Sequence, residues 1–440
     1  MTPSDLEAID SVVVIGCGAI GLPLAVAFAS RDLDVLGVDI DAERIAALVA
    51  GRVDASETRL AEALTQSMAR GRLRFAPSCA PASVRRAFVV AVPTPVDDQD
   101  ILPTAGLREA CKAAVACARD RDLLVIRSTV PVGTTRRIAQ DIVAGGRAIA
   151  VASCPDRTIA GQAFREQFSL PNVVGGVDSG ATHAASALFR RLGEVVEVST
   201  PEAGEAVKLF CNVQRDVTFA LANHFALISE ALGLDIAEIK QAASAGYPRF
   251  QLSRPGPVGG PCLPKDAVLL DRSASGRGSS PALGLTARRV NAFLLDHVAT
   301  AIADHVTQAA RAEPVIAVLG LAFKGDPPTS DTRGSFGIAL CERLRAEWPR
   351  AMVRTWDPGT DTDVSIDSVL RGADVAVLAN EHPSIKALDI DAAARAMRPG
   401  GMIYDVCGGF DRVRLRPPNN VQLRIFGRSP AFGGAKSRDE

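Results

Sequence analysis

Short apolar runs alternate with longer alanine-rich segments through the first half of the chain. A run that is apolar at every position indicates a strand buried on both faces, whereas a longer segment of helix-forming residues indicates a helix. The runs that predict strands are Val12–Gly16, Val35–Asp39, Phe88–Val92, Leu123–Arg127 and Ala148–Ser153. The segments that predict helices include Leu22–Arg31, Ala42–Ala50 and Leu107–Ala118. This alternation predicts an α/β fold with a parallel sheet that is covered by helices on both faces.

The centre of the chain has a helical pattern instead. Helices are predicted over Glu205–Leu232, Ile236–Ala245 and Ala282–Thr307. The first of these lacks glycine and proline, and Thr200 and Pro201 before it are typical of a helix start, while Gly233 is typical of a helix end. The segment Arg249–Lys265 is rich in proline and glycine and predicts a structured loop.

The strand pattern returns after Pro314. Four more strands are predicted at Val315–Gly320, Met352–Asp357, Val375–Ala379 and Met402–Val406. The run VIAVLGL can be set beside VVVIGCG of the first half, which indicates a second domain of the same type. We therefore expect two Rossmann-type doubly wound domains joined by a long central helix, with boundaries at residues 1–199, 200–310 and 311–430. Residues 431–440 are polar and are expected to form a flexible tail.

Composition and charge exclude several classes of protein. The 440 residues are 47% hydrophobic and carry a net charge of −1, so neither disorder nor binding to nucleic acid is expected. The nine cysteines are odd in number and form no CxxC pair, and the five histidines are scattered, so no metal site or disulfide framework is predicted. These cysteines favour a reducing cytoplasm.

One uncharged stretch, Val12–Ser30, needs a test against a membrane-spanning segment. It contains three glycines and a proline, and acidic rather than basic residues precede it. A strand, a glycine turn and a buried helix fit this composition better than a membrane span or a signal peptide. No membrane association is therefore expected.

A dinucleotide-binding turn is predicted directly between the first strand and the first helix. Its sequence is Gly16-Cys17-Gly18-Ala19-Ile20-Gly21, in which the glycines let the backbone approach a pyrophosphate at the helix N-terminus. Asp39 ends the next strand, where a carboxylate binds a ribose 2′-hydroxyl and repels a 2′-phosphate. We expect NAD rather than NADP, although Arg44 nearby leaves NADP open. The alternative is a glycine turn that only packs a helix on a strand.

Two further loops follow predicted strands. Pro93 and Thr94 lie in the first, and Thr129 lies in the second, Ser128–Thr134. Ligands bind at strand ends in open α/β sheets, so both loops are candidates for the site. Each one alone is more often an ordinary turn.

Lys208 and Asn212 lie four residues apart and share one face of the long helix. A lysine and an amide directed at one point can hold a hydroxyl and then stabilise the oxyanion formed from it. The alternative is a solvated surface lysine, but this helix is otherwise apolar, which favours burial.

A cysteine in a glycine-rich turn is the sharpest chemical signal of the chain. Cys262 follows Gly259 and Gly260, with Lys265 three residues and Asp266 four residues further on. Nearby positive charge would lower the pKa of the thiol and raise its nucleophilicity, and the carboxylate could transfer a proton. The alternative, a buried structural cysteine, describes most cysteines.

With these residues in place, the chain resembles the nucleotide-sugar 6-dehydrogenases, the group of UDP-glucose, UDP-N-acetylmannosamine and GDP-mannose dehydrogenases. The stretches that carry the resemblance are GCGAIGLPLA, VPTP, STVPVGTT, CPDRTIAGQAF, GEAVKLFCN, YPRFQLSRPGPVGGPCLPKD and LAFKGDPPTSDTRGS. They follow the order of the family and extend roughly from Val12 to Tyr404. Together they are highly specific.

The resemblance implies a four-electron oxidation of a sugar C6 alcohol to a carboxylate with two NAD⁺. Cys262 would attack the intermediate aldehyde, and the resulting thiohemiacetal would be oxidised to a thioester and hydrolysed. Lys208 and Asn212 match the residues that stabilise the oxygen at C6, Asp266 matches the acid/base residue, and Thr129 matches a threonine that orders water. These implied roles explain why a nucleophilic cysteine belongs beside a hydride acceptor.

The same resemblance implies further cofactor and substrate contacts. Lys265 and Arg333 match cofactor-binding positions, of which the arginine reaches the NAD phosphates. The implied substrate-binding residues, besides Lys208 and Asn212, are Asp156, Arg157, Arg249, Gly259 and Lys324. Arg249 matches an arginine that grips the nucleotide of the other subunit, which implies a homodimer built around the helical region 200–310.

The match to the family pattern has two departures. Asp156 stands where family members usually have Glu, and Ala160 stands where many have a second Glu. These differences bear on thioester hydrolysis and on the fit of the sugar, and we expect Asp156 to substitute adequately. The CPDRT and PGPVGGPCLPKD stretches favour a UDP-N-acetylhexosamine, with UDP-N-acetylmannosamine first and UDP-glucose open.

Two other functions stay open on sequence alone. The spacing of Gly204, Lys208 and Asn212 also resembles 3-hydroxyacid dehydrogenases, which transfer one hydride and need no thiol. A sensor of NAD or sugar nucleotides without turnover is the non-catalytic alternative. The number of NADH molecules released per substrate separates the three.

Overall fold

The structure is a computed structural model that describes residues 9–53, 58–95, 105–275, 278, 282–359, 364–410 and 417–428. The chain divides into two compact units. Unit 1 consists of Met1–Cys211 and Val268–Ser279, and unit 2 consists of Asn212–Ala267 and Ser280–Glu440. The predicted tail, residues 431–440, lies outside the described residues.

Unit 1 contains a sheet of eight strands. The strands are β1 (Ser11–Ile15), β2 (Asp34–Val38), β3 (Leu73–Ala76), β4 (Arg86–Val90), β5 (Leu123–Ile126), β6 (Ala150–Ser153), β7 (Asn172–Gly176) and β8 (Val195–Glu197). Their order is β3-β2-β1-β4-β5-β6-β7-β8, and all neighbours are parallel except β6 and β7. The five predicted strands are confirmed to within two residues, while β3, β7 and β8 were not predicted.

Helices cover this sheet. They are α1 (Gly21–Ala29), α2 (Ala42–Val49), α3 (Thr58–Ala69), α4 (Ala105–Cys117), α5 (Thr134–Ala144), α6 (Ala163–Ser169) and α7 (Ser179–Phe189). Side chains alternate between the faces of β1, so that Val12 and Val14 belong to the core that contains α1, and Val13 and Ile15 belong to the core that contains α4. Both faces are therefore buried, as the continuous apolar runs predict.

The uncharged stretch Val12–Ser30 forms β1, the glycine turn and α1, as predicted. Gly18 sits in the turn, and Ser30 caps the C-terminus of α1. Across the part of the chain that the structure describes, no helix is both long and apolar enough to cross a membrane.

The long helix α8 (Pro201–Ala231) contributes to both units. The Thr200 hydroxyl accepts a hydrogen bond from the Ala203 N–H at 3.2 Å, so the predicted start is confirmed. At the other end, Gly233 has φ +74°, and the Leu234 N–H donates to the Ser229 carbonyl. Glycine is favoured at this position because an L side chain is strained at such a φ.

Unit 2 contains the remaining helices of the central region and a second sheet. The helices are α9 (Ile236–Ser244), α10 (Leu263–Ala274, which ends in unit 1), α11 (Leu283–Gln308), α12 (Phe336–Glu347), α13 (Ile366–Leu370), α14 (Pro383–Lys386) and α15 (Ile390–Ala396). The strands are β9 (Val315–Leu319), β10 (Met352–Trp356), β11 (Val375–Leu378), β12 (Met402–Asp405) and β13 (Gln422–Ile425).

The second sheet is parallel throughout, in the order β10-β9-β11-β12-β13. Ile316 and Val318 of β9 pack in one core with α11, while Val315 and Ala317 pack in another with α15. This sheet is again doubly covered, so the predicted fold of two Rossmann-type domains and a long central helix is confirmed. The predicted loop Arg249–Lys265 ends earlier than expected, since α10 begins at Leu263.

Candidate active site

The glycine turn of unit 1 has the geometry that a dinucleotide phosphate needs. Gly16 has φ +93°, and a Cβ at Gly21 would lie 1.7 Å from the Gly16 carbonyl oxygen, so neither position tolerates a side chain. Cys17, Gly18, Ala19 and Ile20 complete the turn, and α1 begins at Gly21. The helix N-terminus therefore follows an unobstructed backbone turn, which fits a pyrophosphate.

Asp39 lies directly beside this turn. Its Oδ2 accepts a hydrogen bond from the Cys17 N–H at 2.8 Å, and its Oδ1 accepts one from the Asp41 N–H at 3.0 Å. The Arg44 Nε lies 3.9 Å from Asp39 Oδ2 and 3.6 Å from Asp41 Oδ2. The carboxylate is thus held at the end of β2, the place that a ribose hydroxyl requires.

The Cys17 thiol takes no part in this arrangement. It is buried, and its Sγ lies 3.7 Å from the Val38 carbonyl oxygen. Burial raises the pKa of the thiol to about 12, and the negative charge of Asp39 acts in the same direction. Cys17 therefore serves the turn through its backbone N–H.

The two candidate loops after β4 and β5 contact each other. The Thr94 hydroxyl donates to the Thr129 carbonyl at 2.6 Å, and the Ser128 hydroxyl donates to the Val92 carbonyl at 2.7 Å. Thr94 is buried, Pro93 is exposed and Thr129 is half-buried. Since β4 and β5 are neighbours, with β1 next to β4, the structure brings these loops to the edge of the sheet that carries the glycine turn.

Sequence reasoning missed the role of Glu205 on α8. Its carboxylate accepts hydrogen bonds from the N–H groups of Gly133 at 2.5 Å and Thr135 at 2.7 Å, at the N-terminus of α5. Burial raises the pKa of this carboxyl group. Glu205 thereby ties the loop that contains Thr129 to the helix that contains Lys208, which is itself buried, with 8% of its surface exposed. The sequence signal that could have revealed this role is the carboxylate of Glu205 in a helix that is otherwise apolar.

The loop before Cys262 is packed closely within unit 2. A Cβ at Gly259 would lie 2.2 Å from the Gly334 carbonyl oxygen, and one at Gly260 would lie 2.7 Å from the Phe323 ring. The Gly260 N–H also donates to the Gly334 carbonyl at 3.2 Å. Gly259 is therefore required by the close approach of the Gly334 backbone, and Gly260 by the Phe323 ring and by its own φ of +93°.

Cys262 is exposed and stands immediately before α10. Its carbonyl accepts the Asp266 N–H at 3.1 Å, which is the first hydrogen bond of that helix. A helix N-terminus favours negative charge, and this is a position at which thiolates are stabilised in proteins.

Asp266 is fully buried and contacts one other predicted catalytic residue and one predicted cofactor-binding residue. Its Oδ2 accepts a hydrogen bond from Asn212 Nδ2 at 2.6 Å, and its Oδ1 accepts one from Lys265 Nζ at 2.9 Å. The structure therefore joins Asn212, Lys265 and Asp266 in one hydrogen-bonded group one helical turn after Cys262. An acid/base carboxyl group fixed in this way has a defined orientation.

Three predicted ligand-binding cations of unit 2 lie in different surroundings. The guanidinium of Arg333 contacts Asp331 at 2.6 Å; this hydrogen bond raises the pKa of Arg333, and the nearby Cys262 thiol contributes in the same direction. The Lys324 ammonium lies 5.7 Å from the centre of the Phe323 ring. Arg249 is exposed and lies over the Tyr247 ring at 4.6 Å.

Asp156 was expected to contact the substrate, and the structure places it in a buried ion pair instead. Its Oδ1 lies 2.9 Å from Arg127 NH2, and 2% of each side chain is exposed. The other oxygen, Oδ2, accepts hydrogen bonds from the N–H and the hydroxyl of Thr158 at 3.2 and 2.8 Å, and Gln167 contacts Oδ1. The acceptor sites of this carboxylate are therefore filled within its own unit. These contacts favour a structural role for Asp156, and its contact with the substrate stays a prediction.

Arg157 is also engaged within its own unit, where its guanidinium donates to the Pro171 carbonyl. Among the residues that the structure describes, no three His, Cys, Asp or Glu side chains are grouped closely enough to hold a metal ion.

Comparison with known protein families gives one consistent result along the chain. Residues 10–193 match the NAD binding domain of the UDP-glucose/GDP-mannose dehydrogenase family. Residues 202–292 match the central domain of the same family, and residues 317–412 match its UDP binding domain. The third match is not expected of 3-hydroxyacid dehydrogenases, which the sequence analysis left open as an alternative.

Curated relatives and solved structures agree with this assignment. The chain is 34% identical over 399 residues to a UDP-N-acetyl-D-mannosamine dehydrogenase of Pyrococcus horikoshii, covering 88% of this chain and 93% of the relative. It is 31% identical to an NDP-N-acetyl-D-galactosaminuronic acid dehydrogenase of Ralstonia nicotianae, covering 87% and 93%. The structure of UDP-D-ManNAc dehydrogenase from Pyrococcus horikoshii matches with a TM-score of 0.85 and 32% identity over 95% of this chain and 99% of that one. The chain therefore belongs to the UDP-glucose/GDP-mannose dehydrogenase family and is an NAD-dependent nucleotide-sugar dehydrogenase.

Proposed function

We propose that this enzyme oxidises the C6 alcohol of a UDP-N-acetylhexosamine, with UDP-N-acetylmannosamine as the first candidate, to the uronic acid. The observation that carries the proposal is an exposed thiol, Cys262, at the start of α10, one turn before the buried Asp266. A single hydride transfer needs no such thiol, whereas oxidation beyond the aldehyde uses a nucleophile that forms a covalent intermediate.

The first oxidation rests on Lys208 and Asn212. NAD⁺, when bound, would supply the hydride acceptor for both oxidations. Lys208 and Asn212 hold the C6 oxygen and stabilise its negative charge as the hydroxyl proton departs. We expect the glycine turn and Asp39 to hold the cofactor, together with Pro93, Thr94 and Lys265, and Arg333 to contact its phosphates.

The second oxidation uses Cys262 as the nucleophile. Its sulfur adds to the aldehyde carbon, and the carbonyl oxygen takes up a proton, which gives a thiohemiacetal. Loss of a second hydride from the same carbon gives a thioester. Water, placed by Thr129 and deprotonated by Asp266, cleaves the C–S bond, and the products are the carboxylate and the free thiol.

The test is the number of NADH molecules released per substrate. The wild-type enzyme should release two, and Cys262→Ser should form no acid while still binding NAD⁺, because a hydroxyl is a much weaker nucleophile at neutral pH. Cys211→Ser is the matched control, since Cys211 is also exposed. Full acid production by Cys262→Ser would refute the covalent mechanism.

The sugar is decided by a comparison of substrates. Relatives named for N-acetylated sugars favour UDP-N-acetylmannosamine. UDP-glucose is the second candidate, because the structure of a UDP-glucose dehydrogenase from Pyrobaculum islandicum also matches. Its TM-score is 0.81, with 25% identity over 98% of this chain and 100% of that one. NADH release should be measured with UDP-N-acetylmannosamine, UDP-N-acetylglucosamine, UDP-N-acetylgalactosamine, UDP-glucose and GDP-mannose. A higher kcat/KM with UDP-glucose than with every N-acetylated sugar would overturn our first choice.

We further propose a homodimer in which Arg249 reaches the nucleotide in the site of its partner. Large apolar side chains of α8, Leu221 and Ile228, are exposed in the single chain, and so is Arg249. Mixing the inactive variants Arg249→Ala and Cys262→Ser tests this idea. If Arg249 acts across the interface, mixed dimers contain one complete site and regain activity, whereas two variants that act within one subunit restore none.

The location of the enzyme in the cell and its domain boundaries are also part of the proposal. We place the enzyme in the cytoplasm, where its nine cysteines would stay reduced. We retain three domains, residues 1–199 for NAD, 200–310 for catalysis and the dimer, and 311–430 for the UDP-sugar. Asp357 follows β10 as Asp39 follows β2, but it is buried and its Oδ2 accepts both the Leu321 and the Ala322 N–H. A carboxylate engaged in this way is less available to a ribose hydroxyl, which supports a different ligand in the third domain.

A further inference from the structure

Two asparagines on one face of α8 hold the two ends of the segment that contains Cys262. Asn212 binds Asp266 after the cysteine, and Asn223 binds Gly256 before it. Eleven residues correspond to about three helical turns and leave the two side chains about 20° apart around the axis. Asn212 and Asn223 are both buried and belong to unit 2, as does Cys262.

Asn223 contacts both polar groups of one backbone position. Its Oδ1 accepts the Gly256 N–H at 2.7 Å, and its Nδ2 donates to the Gly256 carbonyl at 3.0 Å. Gly256 has φ +148°, a conformation that L side chains rarely adopt. The Asn223 side chain, which has no exposed surface, therefore stabilises a backbone conformation that the loop would otherwise leave.

A second layer of buried polar residues holds the Asn223 amide in this orientation. Its Nδ2 also donates to Asn291 Oδ1 at 2.9 Å, and Asn291 Nδ2 donates to Asp216 Oδ1 at 2.9 Å. Arg288 of α11 contacts the same Asp216 oxygen at 2.7 Å. The chain of contacts runs from the loop through α8 to α11, so the loop is tied to two long helices of the core.

We propose that Asn223 is a positioning residue for the second oxidation, which fixes the Cys262 loop on α8 and so sets the place of the thiol. Asn291 and Asp216 act through it by holding its amide. The proposal rests on the proposed role of Cys262 as the nucleophile. It separates the functions of the two asparagines, because Asn212 serves the oxygen of the substrate, whereas Asn223 lies a further three turns along the helix and serves the loop.

The test compares the two oxidations in Asn223→Ala. Loss of the amide should lower the rate of acid formation by about 100-fold, because small misplacements of a reacting group cost that much. The first oxidation needs no thiol and should stay within about 3-fold of wild type, so an aldehyde should accumulate that semicarbazide traps. Asn291→Ala keeps both contacts to Gly256 and should show the same selective loss, but only about 10-fold.

Two controls separate an effect on the position of the Cys262 thiol from a loss of folding stability and from a change in the oxidation rates themselves. Ser229→Ala removes another buried side chain of α8, whose hydroxyl donates only to the Phe225 carbonyl, and should leave the ratio of the two rates unchanged. Mass spectrometry gives the iodoacetamide reaction rate of Cys262 relative to that of Cys211 in the same chain. This ratio should fall in Asn223→Ala, because the thiol is no longer held at its helix N-terminus.

An equal decline of both oxidations, with a lower melting temperature and an unchanged alkylation ratio, would show that Asn223 only supports the fold and would overturn the proposal. Unchanged oxidation rates would overturn it as well. If wild type releases a single NADH, the proposed function fails, and a fall in the alkylation ratio of Asn223→Ala would still support the positioning of the thiol.

Discussion

Replacement of Asp156 by Asn decides whether this residue serves the substrate or the fold. The substitution keeps the shape of the side chain and removes its negative charge. Arg127 then remains buried, with only neutral partners in the carbonyl of Cys154 and the side chains of Gln167 and Asn172. We expect the variant to be less stable and to retain most of its activity at low temperature.

The magnitude follows from the burial of the pair. Removing one partner of a buried ion pair costs about 3–5 kcal/mol, and the neutral acceptors that remain around Arg127 favour the lower end, about 3 kcal/mol. For a unit of this size, that loss lowers the melting temperature by about 6–12 °C. The pair of Glu109 and Lys112 is the matched control, because its contact of 2.8 Å is as short as the 2.9 Å contact of the buried pair but is largely exposed. Glu109→Gln should cost about 0.5 kcal/mol or less.

The assay combines thermal unfolding with steady-state kinetics well below the melting temperature. Asp156→Asn should show the lower melting temperature with kcat within about 2-fold of wild type, since Arg127 and Thr158, rather than a ligand, engage the carboxylate. A normal melting temperature together with a large loss of kcat would refute the reasoning. It would return Asp156 to the substrate-binding role that the sequence alone suggests.

Three further predictions concern unit 1. Asp39→Ser should lower kcat/KM for NAD⁺ by about 10-fold and allow measurable use of NADP⁺, because Arg44 stays nearby while the charge that repels a 2′-phosphate is gone. Adding Arg44→Ala should remove the use of NADP⁺. Continued exclusion of NADP⁺ by Asp39→Ser would contradict this prediction. Gly21→Ala should abolish NAD⁺ binding measured by calorimetry, because its Cβ would lie 1.7 Å from the Gly16 oxygen, whereas Gly51→Ala, which meets no atom within 4 Å, should not. Glu205→Gln should lower the free energy of unfolding by about 1–3 kcal/mol, since its amide group would face an N–H donor. Because burial raises the pKa of Glu205 in the folded state, its protonation adds stability that is fully present below pH 4.5 and is lost as the pH rises through the folded-state value. The gap between wild type and Glu205→Gln should therefore be wider in acid than above neutrality, and denaturant unfolding at the two pH values checks the sign.

The order of strands and helices could be read from the sequence because it depends on neighbours a few residues apart. The apolar runs of β1 and β9 need no knowledge of their partners, and Gly233 ends α8 through its own backbone conformation. The short strands β3 and β8 escaped prediction because their side chains are only partly buried, so the apolar pattern is weak.

Sequence alone determined that a glycine turn follows the first strand, that Asp39 ends the second, and that Cys262 and Asp266 lie four residues apart after a glycine-rich turn. Only the tertiary structure decided which polar residues form ion pairs or hydrogen bonds with each other. Arg127 with Asp156, Glu205 with the start of α5, and Asn223 with Gly256 each join positions that are 29 or more residues apart. The physical reason is that backbone conformation is set locally, whereas the burial and pairing of a charge depend on segments that meet only when the chain has folded.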